Sequence, residues 1–453
     1  MSLFFGDSRT EPDNKTIDIY HFFDYYRIAI DIGRKGAGMY IKRALEDTIR
    51  YNFSKSKSLA ITGARQTGKT TVTKHIYPDV RRINMKDNRL VSIAEDDPFS
   101  FLNSFDRPLF IDEVQDSPFL LNAVKVILDD VSSKGNYIFS GSQKWELMKG
   151  LSESLAGTVS ILEMTTLSMR EIKGIDFNKP FSLDEEYITE RGKKIISYDQ
   201  IWNYIHNGFY PELYDDNSRS WENYYRDYVA TYIEKDVYDI LKIKDQTSFY
   251  RFLISCAART GNILNYTNIA DDIGIDSETV KSWIGVLEKT GIVYLLQPYY
   301  NSHLNRAIKT PKIYFRDTGL AAYLTSWTTA DQLKNGAMNG AFFETFVVNE
   351  IIKSYINVGK DYKNHIYYYK GKDAKRVNGE AVENEIDLIL EENSVLHPIE
   401  IKKNANVRAD MARAFPVLDK DIEKHRGMGA IICSSEYKLQ LRENLIVLPI
   451  EYL

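Results

Sequence analysis

A glycine-bounded loop with a lysine and two threonines at its end joins the apolar segment "SLAIT" to a predicted helix. It reads Gly63, Ala64, Arg65, Gln66, Thr67, Gly68, Lys69, Thr70 and Thr71, and its first eight residues match G-x-x-x-x-G-K-[ST]. Backbone N–H groups of such a loop wrap phosphate oxygens, and the helix that follows directs its positive dipole end at the same anion. Lys69 is expected to contact β- and γ-phosphates, and Thr70 to hold Mg²⁺. The loop therefore predicts a site for ATP and Mg²⁺; an ordinary glycine turn is the alternative.

Two carboxylates end the next apolar strand, in "PLFIDEVQDSP". A carboxylate at the carboxyl tip of a strand can reach the metal, so Asp112 is predicted to bind Mg²⁺ through water. Glu113 is predicted to activate the attacking water, the step that distinguishes hydrolysis from binding. Lys69 and Glu113 are thus the predicted catalytic residues. Without the phosphate loop, an acidic turn at a strand end would explain both carboxylates.

A third apolar strand, "NYIFSGSQ", ends in polar side chains. Ser140 closes the strand, and Ser142 and Gln143 follow it. We predict that Ser142 and Gln143 sense the γ-phosphate, although a plain turn explains them nearly as well.

A second chemical pattern lies near the C-terminus, in "NEIDLIL" and "HPIEIKK". Strand alternation puts Glu400 and Lys402 on one face, and an antiparallel neighbour would bring Asp387 beside them. Such carboxylates bind a divalent metal, and a lysine positions water. With Glu344 in the preceding helix, the order looks like the restriction-endonuclease-like core. Glu385 is a weaker candidate, and a solvated strand face remains the alternative.

These residues need an α/β framework. Short apolar runs alternate with helical stretches from residue 58 to about 165, which predicts a parallel sheet with helices on both faces, as in P-loop NTPases. We predict four domains: 1–170 for the P-loop ATPase with a helical lead-in, 171–265 for a helical subdomain, 266–335 for a winged-helix-like domain, and 336–453 for an α/β restriction-endonuclease-like domain.

The segment "NYTNIADDIGIDSETVKSWIGVLEKTGIVYLLQPYY" predicts a helix-turn-helix with Gly274 in the turn and Asp276 or Ser277 as the cap of the second helix. DNA binding is one interpretation, but the mixed charges of the second helix support it little. A structural or protein-binding winged helix is the other. The following run carries Arg306, Lys309, Lys312 and Arg316, which would contact a nucleic-acid backbone or form a solvated hairpin.

Composition excludes several classes of protein. The chain has 453 residues, 43% hydrophobic and 27% charged, with a net charge of −5, so it is not basic throughout. Its two cysteines, Cys256 and Cys433, form neither a metal motif nor a disulfide framework. We find no signal peptide or membrane-spanning run and expect a cytoplasmic protein.

The motifs "ITGARQTGKTT", "FIDEVQDSP", "IFSGSQ" and "SLAGTVSILEMTTLSMREI" resemble AAA-type ATPases of the archaeal-ATPase-like group, which join an ATPase domain to a C-terminal domain of unknown function. Later segments, among them "RDTGLAAYL" and "NGAFFETFVVNEI", fit as well. The family usually has Pro and Val at the positions of Ala64 and Thr67, and an arginine at the position of Thr158. If that arginine stabilises the γ-phosphate, a substitute is needed here, and the candidates are Arg65, Arg107 and Arg170.

Three hypotheses follow. The first is a Mg²⁺-dependent ATPase that drives or gates its C-terminal module. DNA, RNA and other proteins are the open alternatives for its partner, and both a monomer and an oligomer are compatible with it. The second is a metal-dependent nuclease regulated by ATP. The third, prompted by Thr158, is a nucleotide-gated binding protein with little hydrolysis.

Overall fold

The computed structural model describes residues 40–141, 155, 157–215, 219–233, 245–300, 310–377, 380–421 and 423–453. The chain divides into two compact units. One comprises residues 1–40 and 214–218, of which Tyr40, Tyr214 and Asp215 are described. The other comprises residues 41–213 and 219–453 and holds every helix and strand numbered below. Across the described helices, none combines the length and the apolar character needed to cross a bilayer.

A five-stranded parallel sheet forms the first half of the larger unit. Its elements are α1 (Glu46–Lys55), β1 (Ser58–Thr62), α2 (Lys69–Ile76), β2 (Arg81–Asn84), α3 (Asn88–Asp96), α4 (Pro98–Asn103), β3 (Leu109–Asp112), α5 (Pro118–Asp129), β4 (Tyr137–Ser140) and β5 (Val159–Glu163). The strand order is β2-β3-β4-β1-β5, and all four pairings are parallel. The predicted P-loop-type sheet is therefore present, although the sequence analysis missed β2.

Both faces of this sheet are covered. Residues of α3, α4 and α5 pack with Ala60, Ile111 and Phe139 in one hydrophobic core. Side chains alternate along a strand, so Leu59 and Ile138 point to the opposite face, and both are fully buried. A parallel sheet buried on both faces is the usual form of this architecture.

The strand order determines which ends lie side by side. Because β4 lies between β1 and β3, the carboxyl ends of these three strands are adjacent. Ser140 pairs in register with Ile61 on one side and with Asp112 on the other. The loop after β1 and the carboxylate ending β3 therefore share one edge of the sheet.

The middle of the chain is helical and rich in aromatic residues, as predicted. It contains α6 (Met169–Ile172), α7 (Glu185–Gly192), α8 (Ile201–Asn207), α9 (Trp221–Tyr228), a π-helical turn (Val229–Ile233) and α10 (Gln246–Ala257). Tyr210, Tyr224 and Tyr228 pack against one another with ring centroids 4.8–6.1 Å apart. These buried rings give this part of the chain its core.

A helix-turn-helix and a small antiparallel sheet come next. The elements are β6 (Asn262–Ile263), α11 (Tyr266–Ile273), α12 (Ser277–Lys289), β7 (Val293–Leu296), β8 (Lys312–Phe315), α13 (Thr318–Leu324) and α14 (Ala330–Asn335), with the strand order β6-β8-β7. Gly274 ends α11 in the left-handed region, and the Asp276 side chain caps α12 by accepting from the N–H of Thr279. The predicted helices, turn and cap are all present.

The C-terminal part has one long helix and a seven-stranded mixed sheet. Its elements are α15 (Asn339–Asn357), β9 (Ile366–Val377), β10 (Glu380–Glu392), β11 (Val395–Lys402), β12 (His425–Arg426), β13 (Gly429–Cys433), β14 (Leu439–Arg442) and β15 (Leu445–Pro449). The order is β14-β15-β13-β11-β10-β9, with β12 paired to β11. β10 and β11 are antiparallel, so the predicted arrangement of these two strands is confirmed.

Short 3₁₀ turns complete the described structure, at Val114–Asp116, Pro211–Tyr214, Tyr362–Asn364, Ala409–Ala412, Phe415–Lys420 and Ile450–Tyr452. Cys256 and Cys433 are both free and buried.

The long C-terminal helix contacts the chain just after the five-stranded parallel sheet. On α15, the Lys353 ammonium donates to the carbonyl of Leu167 at 2.6 Å, and a Glu350 oxygen accepts from the N–H of Met169 at 2.8 Å. Lys353 and Glu350 also pair with each other at 3.1 Å, and both are buried. The two members of this buried pair thereby hydrogen-bond the C-terminal region to the segment that follows the sheet.

Candidate functional site

The phosphate-loop backbone adopts conformations that favour glycine. Gly63 has φ +140° and Gly68 has φ +93°, and Gln66 between them has φ +60°. A Cβ added at Gly63 would lie 2.2 Å from the carbonyl oxygen of Met164. Only glycine therefore fits at position 63. Residues with positive φ are interspersed with residues of negative φ along the loop, which makes a backbone concavity of the type that binds anions.

Lys69 lies at this loop and is 9% exposed. Its ammonium donates to the carbonyl oxygens of Gly63 at 3.0 Å and Ala64 at 2.8 Å. Burial lowers the pKa of Lys69 to about 8, against the opposing influence of the Glu113 and Asp112 carboxylates. The lysine is thus held at the loop by two neutral acceptors, which are weaker partners than a phosphate oxygen would be.

Thr70 and Asp112 meet at the sheet edge. The Thr70 hydroxyl donates to Asp112 Oδ2 at 3.1 Å, and the Ser140 hydroxyl donates to Asp112 Oδ1. A hydroxyl and a carboxylate are the hard oxygen donors that Mg²⁺ prefers, and Mg²⁺ usually completes its shell with waters and phosphate oxygens. The pair therefore fits Mg²⁺ in the presence of a nucleotide. Over the residues with assigned positions, no set of three or more His, Cys, Asp or Glu forms a metal-binding cluster.

Glu113 is held by two partners that the sequence analysis did not identify. Its Oε1 lies 3.0 Å from the Lys86 ammonium, and its Oε2 accepts from the Gln115 side-chain amide at 2.7 Å. Lys86 follows β2, which is the in-register neighbour of β3. A basic residue just after a strand next to the acidic strand is the signal that would have identified it.

The predicted sensors and arginine substitutes are placed as follows. Ser142 and Gln143 lie outside the described residues, and Ser140 is the polar strand end that contacts Asp112. Arg170 donates to the carbonyl of Lys179 at 2.7 Å and to the Tyr187 hydroxyl at 2.6 Å, in the middle region of the chain. It is therefore engaged elsewhere.

Thr158 and Arg107 lie at the other edge of the sheet. Val159 pairs with Ser58 at the amino end of β1, whereas Glu163 pairs with Thr62 next to the phosphate loop. Five residues of strand put Thr158 roughly 16 Å from that loop. The Arg107 guanidinium lies 5.6 Å from the ring of Tyr137, which begins β4. The presence of Thr158 in place of the family's usual arginine thus does not alter the phosphate loop of its own chain. Of the three candidate substitutes, Arg65 is the one that lies in the loop.

The C-terminal candidates are also brought together, with residues from β8 among them. We call Glu344, Glu385, Asp387 and Glu400 the acidic cluster. The Lys312 ammonium lies 3.2 Å from Glu344 Oε1, 2.8 Å from Glu385 Oε1 and 3.9 Å from Asp387 Oδ1.

The remaining contacts of the acidic cluster fix its carboxylates further. The Tyr314 hydroxyl donates to Glu344 Oε1 at 2.6 Å, the N–H of Ile401 donates to Asp387 Oδ2 at 2.8 Å, and Lys402 pairs with Glu400. Burial, and next the charge of Asp387, raise the pKa of both Glu344 and Glu400. Lys370 also pairs with Glu385, at 3.3 Å. The cluster is therefore compact and already supplied with three ammonium groups, those of Lys312, Lys370 and Lys402.

The two described residues of the predicted basic run before α13, Lys312 and Arg316, do not face solvent. Lys312 is 2% exposed and Arg316 9%. The Arg316 guanidinium pairs with Glu163, donates to the carbonyl of Val293 at 3.2 Å and stacks 4.0 Å from the ring centroid of Tyr294. The expectation that these two residues contact nucleic acid or solvent is wrong, because both are buried in ion pairs. Arg306 and Lys309 lie outside the described residues.

Three segments match protein-family models: residues 55–173 match an AAA domain, residues 198–331 a domain of unknown function (DUF8612), and residues 339–453 another domain of unknown function (DUF4143). The first segment contains the phosphate loop, Asp112 and Glu113. This match and the parallel sheet are both consistent with a P-loop core of AAA type in residues 55–173. The four-domain division stays a prediction.

Two relatives match longer stretches of the chain at low sequence identity. The uncharacterized protein Rv2008c of Mycobacterium tuberculosis is 22% identical over 422 residues, which is 92% of this chain and 84% of the relative. The uncharacterized protein MJ1544 of Methanocaldococcus jannaschii is 26% identical over 285 residues, 58% of this chain and 61% of the relative. Among solved structures, a Walker-type ATPase of Pyrococcus abyssi covers 62% of this chain and 94% of its own, at 11% identity and a TM-score of 0.35. That score does not establish a shared fold.

Proposed function

We propose that this chain is an ATP-binding, Mg²⁺-dependent AAA-type ATPase that transmits its nucleotide state to the C-terminal region. The observation that carries the proposal is the meeting of Thr70 and Asp112 at 3.1 Å beside Lys69, at the carboxyl edge of the parallel sheet. A phosphate loop, a metal-type carboxylate and a neighbouring glutamate are the parts that phosphoryl transfer to water requires.

Each residue has a role that follows from its position. Lys69 exchanges its two carbonyl partners for β- and γ-phosphate oxygens, which are charged acceptors. Thr70 and Asp112 hold Mg²⁺, which neutralises charge on the phosphates when it is bound. Glu113 leaves Lys86 and Gln115 to accept the proton of the attacking water, because its carboxylate cannot act as a base while both oxygens are engaged.

The route to the C-terminal region runs along β8. At one end of this strand Arg316 pairs with Glu163, the last residue of β5, which lies in register with Thr62. At the other end Lys312 contacts the acidic cluster. The four residue steps from Lys312 to Arg316 span roughly 13 Å of extended chain. A shift at the phosphate loop therefore has one continuous strand through which it reaches the acidic cluster.

Phosphate release tests the ATPase proposal. Wild type should release phosphate from Mg²⁺-ATP, and Glu113→Gln should retain ATP binding while its turnover falls by about 100-fold or more. Asp116→Asn is the matched control, because Asp116 is an exposed carboxylate in the same turn. Equal turnover of Glu113→Gln and wild type would refute the assigned base. Repeating the assay with DNA, RNA or protein fractions identifies the class of partner from the stimulation.

A nuclease regulated by ATP is the second candidate, and the convergence of Glu344, Asp387 and Glu400 favours it. As these side chains stand, however, the Lys312 ammonium lies among the carboxylates where a cation would bind. The donor set therefore does not fit a metal in this arrangement, and we derive no cleavage step from it. Incubation of plasmid and single-stranded DNA with Mg²⁺ or Mn²⁺, with and without ATP, is the test. Cleavage that is lost in Asp387→Ala and Glu400→Ala would favour this candidate.

The third candidate, a nucleotide-gated binding protein, is tested by the same phosphate-release assay. Tight ATP binding with release at background would favour it over the ATPase.

A further inference from the structure

A buried arginine outside the AAA-domain match holds the phosphate loop from behind. Arg43 is 3% exposed. Its Nη1 donates to the carbonyl oxygen of Thr67 at 2.7 Å, and its Nη2 donates to the carbonyl oxygen of Thr165 at 2.8 Å. One planar group therefore bonds both to the phosphate loop and to the segment that follows β5.

The bond to Thr67 fixes the orientation of one peptide of the loop. In a trans peptide the carbonyl and the following N–H point to opposite sides. Because the Thr67 carbonyl points at Arg43, the N–H of Gly68 points away from the guanidinium, toward the other side of the loop. Gly68 is the N-cap of α2 and has φ +93°, so this N–H lies at the helix end where an anion binds.

The segment behind the loop is itself fixed. The N–H of Met164 donates to the carbonyl of Thr62 at 2.8 Å, which continues the β1–β5 pairing. The carbonyl of Met164 closely approaches Gly63. Arg43 thus joins the far end of the loop, at Thr67, to a support that already contacts its beginning.

Glu171 orients the guanidinium and balances its charge. Glu171 Oε1 accepts from Arg43 Nε at 2.9 Å and from the N–H of Ala44 at 2.8 Å, and Oε2 accepts from the N–H of Ser168 at 2.7 Å. The ion pair leaves little net charge near the phosphates. The contribution of Arg43 to nucleotide binding is then geometric, and it depends on the fork of donors that a lysine lacks.

We propose that Arg43 is a positioning residue for the nucleotide: it orients the Thr67–Gly68 peptide so that the Gly68 N–H is aimed at the phosphates. The proposal rests on the ATP site proposed above. The alternative is that the Arg43–Glu171 pair only stabilises the fold. If the pair were purely structural, the loss of either partner would lower the stability of the fold and would have no specific effect on nucleotide affinity.

The test compares Arg43→Lys with Glu171→Gln, by calorimetric titration of Mg²⁺-ATP and by thermal melting. Arg43→Lys keeps the positive charge but cannot bond to Thr67 and Glu171 together, so we expect at least a tenfold loss of ATP affinity. Glu171→Gln breaks the ion pair while the bond to Thr67 remains, so we expect its affinity to stay within threefold of wild type. Both variants should melt at lower temperature.

Chemical rescue gives a second readout that a structural role would not produce. With Arg43→Ala, millimolar methylguanidinium should restore ATP affinity, whereas ammonium at the same ionic strength should not. This arm also serves if Arg43→Lys fails to fold. Unchanged affinity in Arg43→Lys, equal losses in Arg43→Lys and Glu171→Gln, or no rescue, would each overturn the positioning role. Absence of ATP binding to wild type would instead overturn the proposed function together with it.

Discussion

The buried pair of Lys353 and Glu350 on α15 gives the most informative stability experiment. The perturbation is Lys353→Met, which keeps the length of the side chain and removes the ammonium. It leaves the Glu350 carboxylate and the Leu167 carbonyl without this donor, in a region where Lys353 is fully buried and Glu350 is 4% exposed. Breaking a buried ion pair on one side costs about 3–5 kcal/mol.

The shift in melting temperature depends on how much of the chain unfolds together. Unfolding entropy is about 2.1 cal/mol/K per residue, or about 0.95 kcal/mol/K for 453 residues, so Tm falls by about 3–5 °C if the whole chain unfolds at once. If residues 339–453 unfold alone, the entropy is about 0.24 kcal/mol/K and Tm falls by about 12–20 °C. Because the larger compact unit includes both regions, we expect the smaller shift in a single transition.

Differential scanning calorimetry measures both the shift in Tm and the number of unfolding transitions. Lys334→Met, at an exposed lysine of α14, is the control. Glu350→Gln alone should also destabilise, and the double variant should lose less than the sum of the two single losses, because it leaves no unpaired charge. A Lys353→Met shift below about 1 °C, or strictly additive losses in the double variant, would refute the buried-pair argument.

Three further predictions concern other parts of the chain. Gly63→Ala should abolish Mg²⁺-ATP binding, because its Cβ would lie 2.2 Å from the carbonyl oxygen of Met164; Gly274→Ala, in open space, should bind normally in the same titration. Asp317→Asn should cost about 1–3 kcal/mol in urea unfolding, because the side chain accepts from a Tyr hydroxyl and two buried N–H groups and an amide nitrogen cannot accept; a loss below 0.5 kcal/mol would contradict this role. Burial raises the pKa of Glu400 to about 8. The protonated Glu400 therefore stabilises the fold fully below its ordinary pKa of 4.5, and this stabilisation is lost as the pH rises to about 8. The Tm of Glu400→Gln should therefore rise relative to that of wild type between pH 5 and 8.5 in EDTA; a Tm difference that does not change with pH would refute this.

Local patterns predicted the parts of the site that lie close together in the chain. The phosphate loop follows from glycine spacing and a strand–helix context, and Asp112 follows from its place at a strand end. Alternation along β11 and pairing with β10 brought Glu400 and Asp387 together as predicted. Each of these inferences needs only the geometry of one or two neighbouring elements.

Long-range contacts were beyond that reasoning. Spacing cannot distinguish a basic residue that faces solvent from one buried against a distant carboxylate, so the roles of Lys312 and Arg316 were misjudged. Arg43 bonds to residues 24 and 122 positions away, and nothing local in its sequence indicates this. The strand β2 was missed because only Ile83 of its four residues is buried, which gives no readable period.

The account depends most directly on Mg²⁺-ATP binding at the loop. Equilibrium titration of ATP into wild type and Lys69→Ala, each with Mg²⁺ and with EDTA, measures this. We predict one site per chain in wild type, weaker binding in EDTA because Thr70 and Asp112 then hold no metal, and loss of tight binding in Lys69→Ala. Equal ATP affinity of wild type and Lys69→Ala would contradict the account.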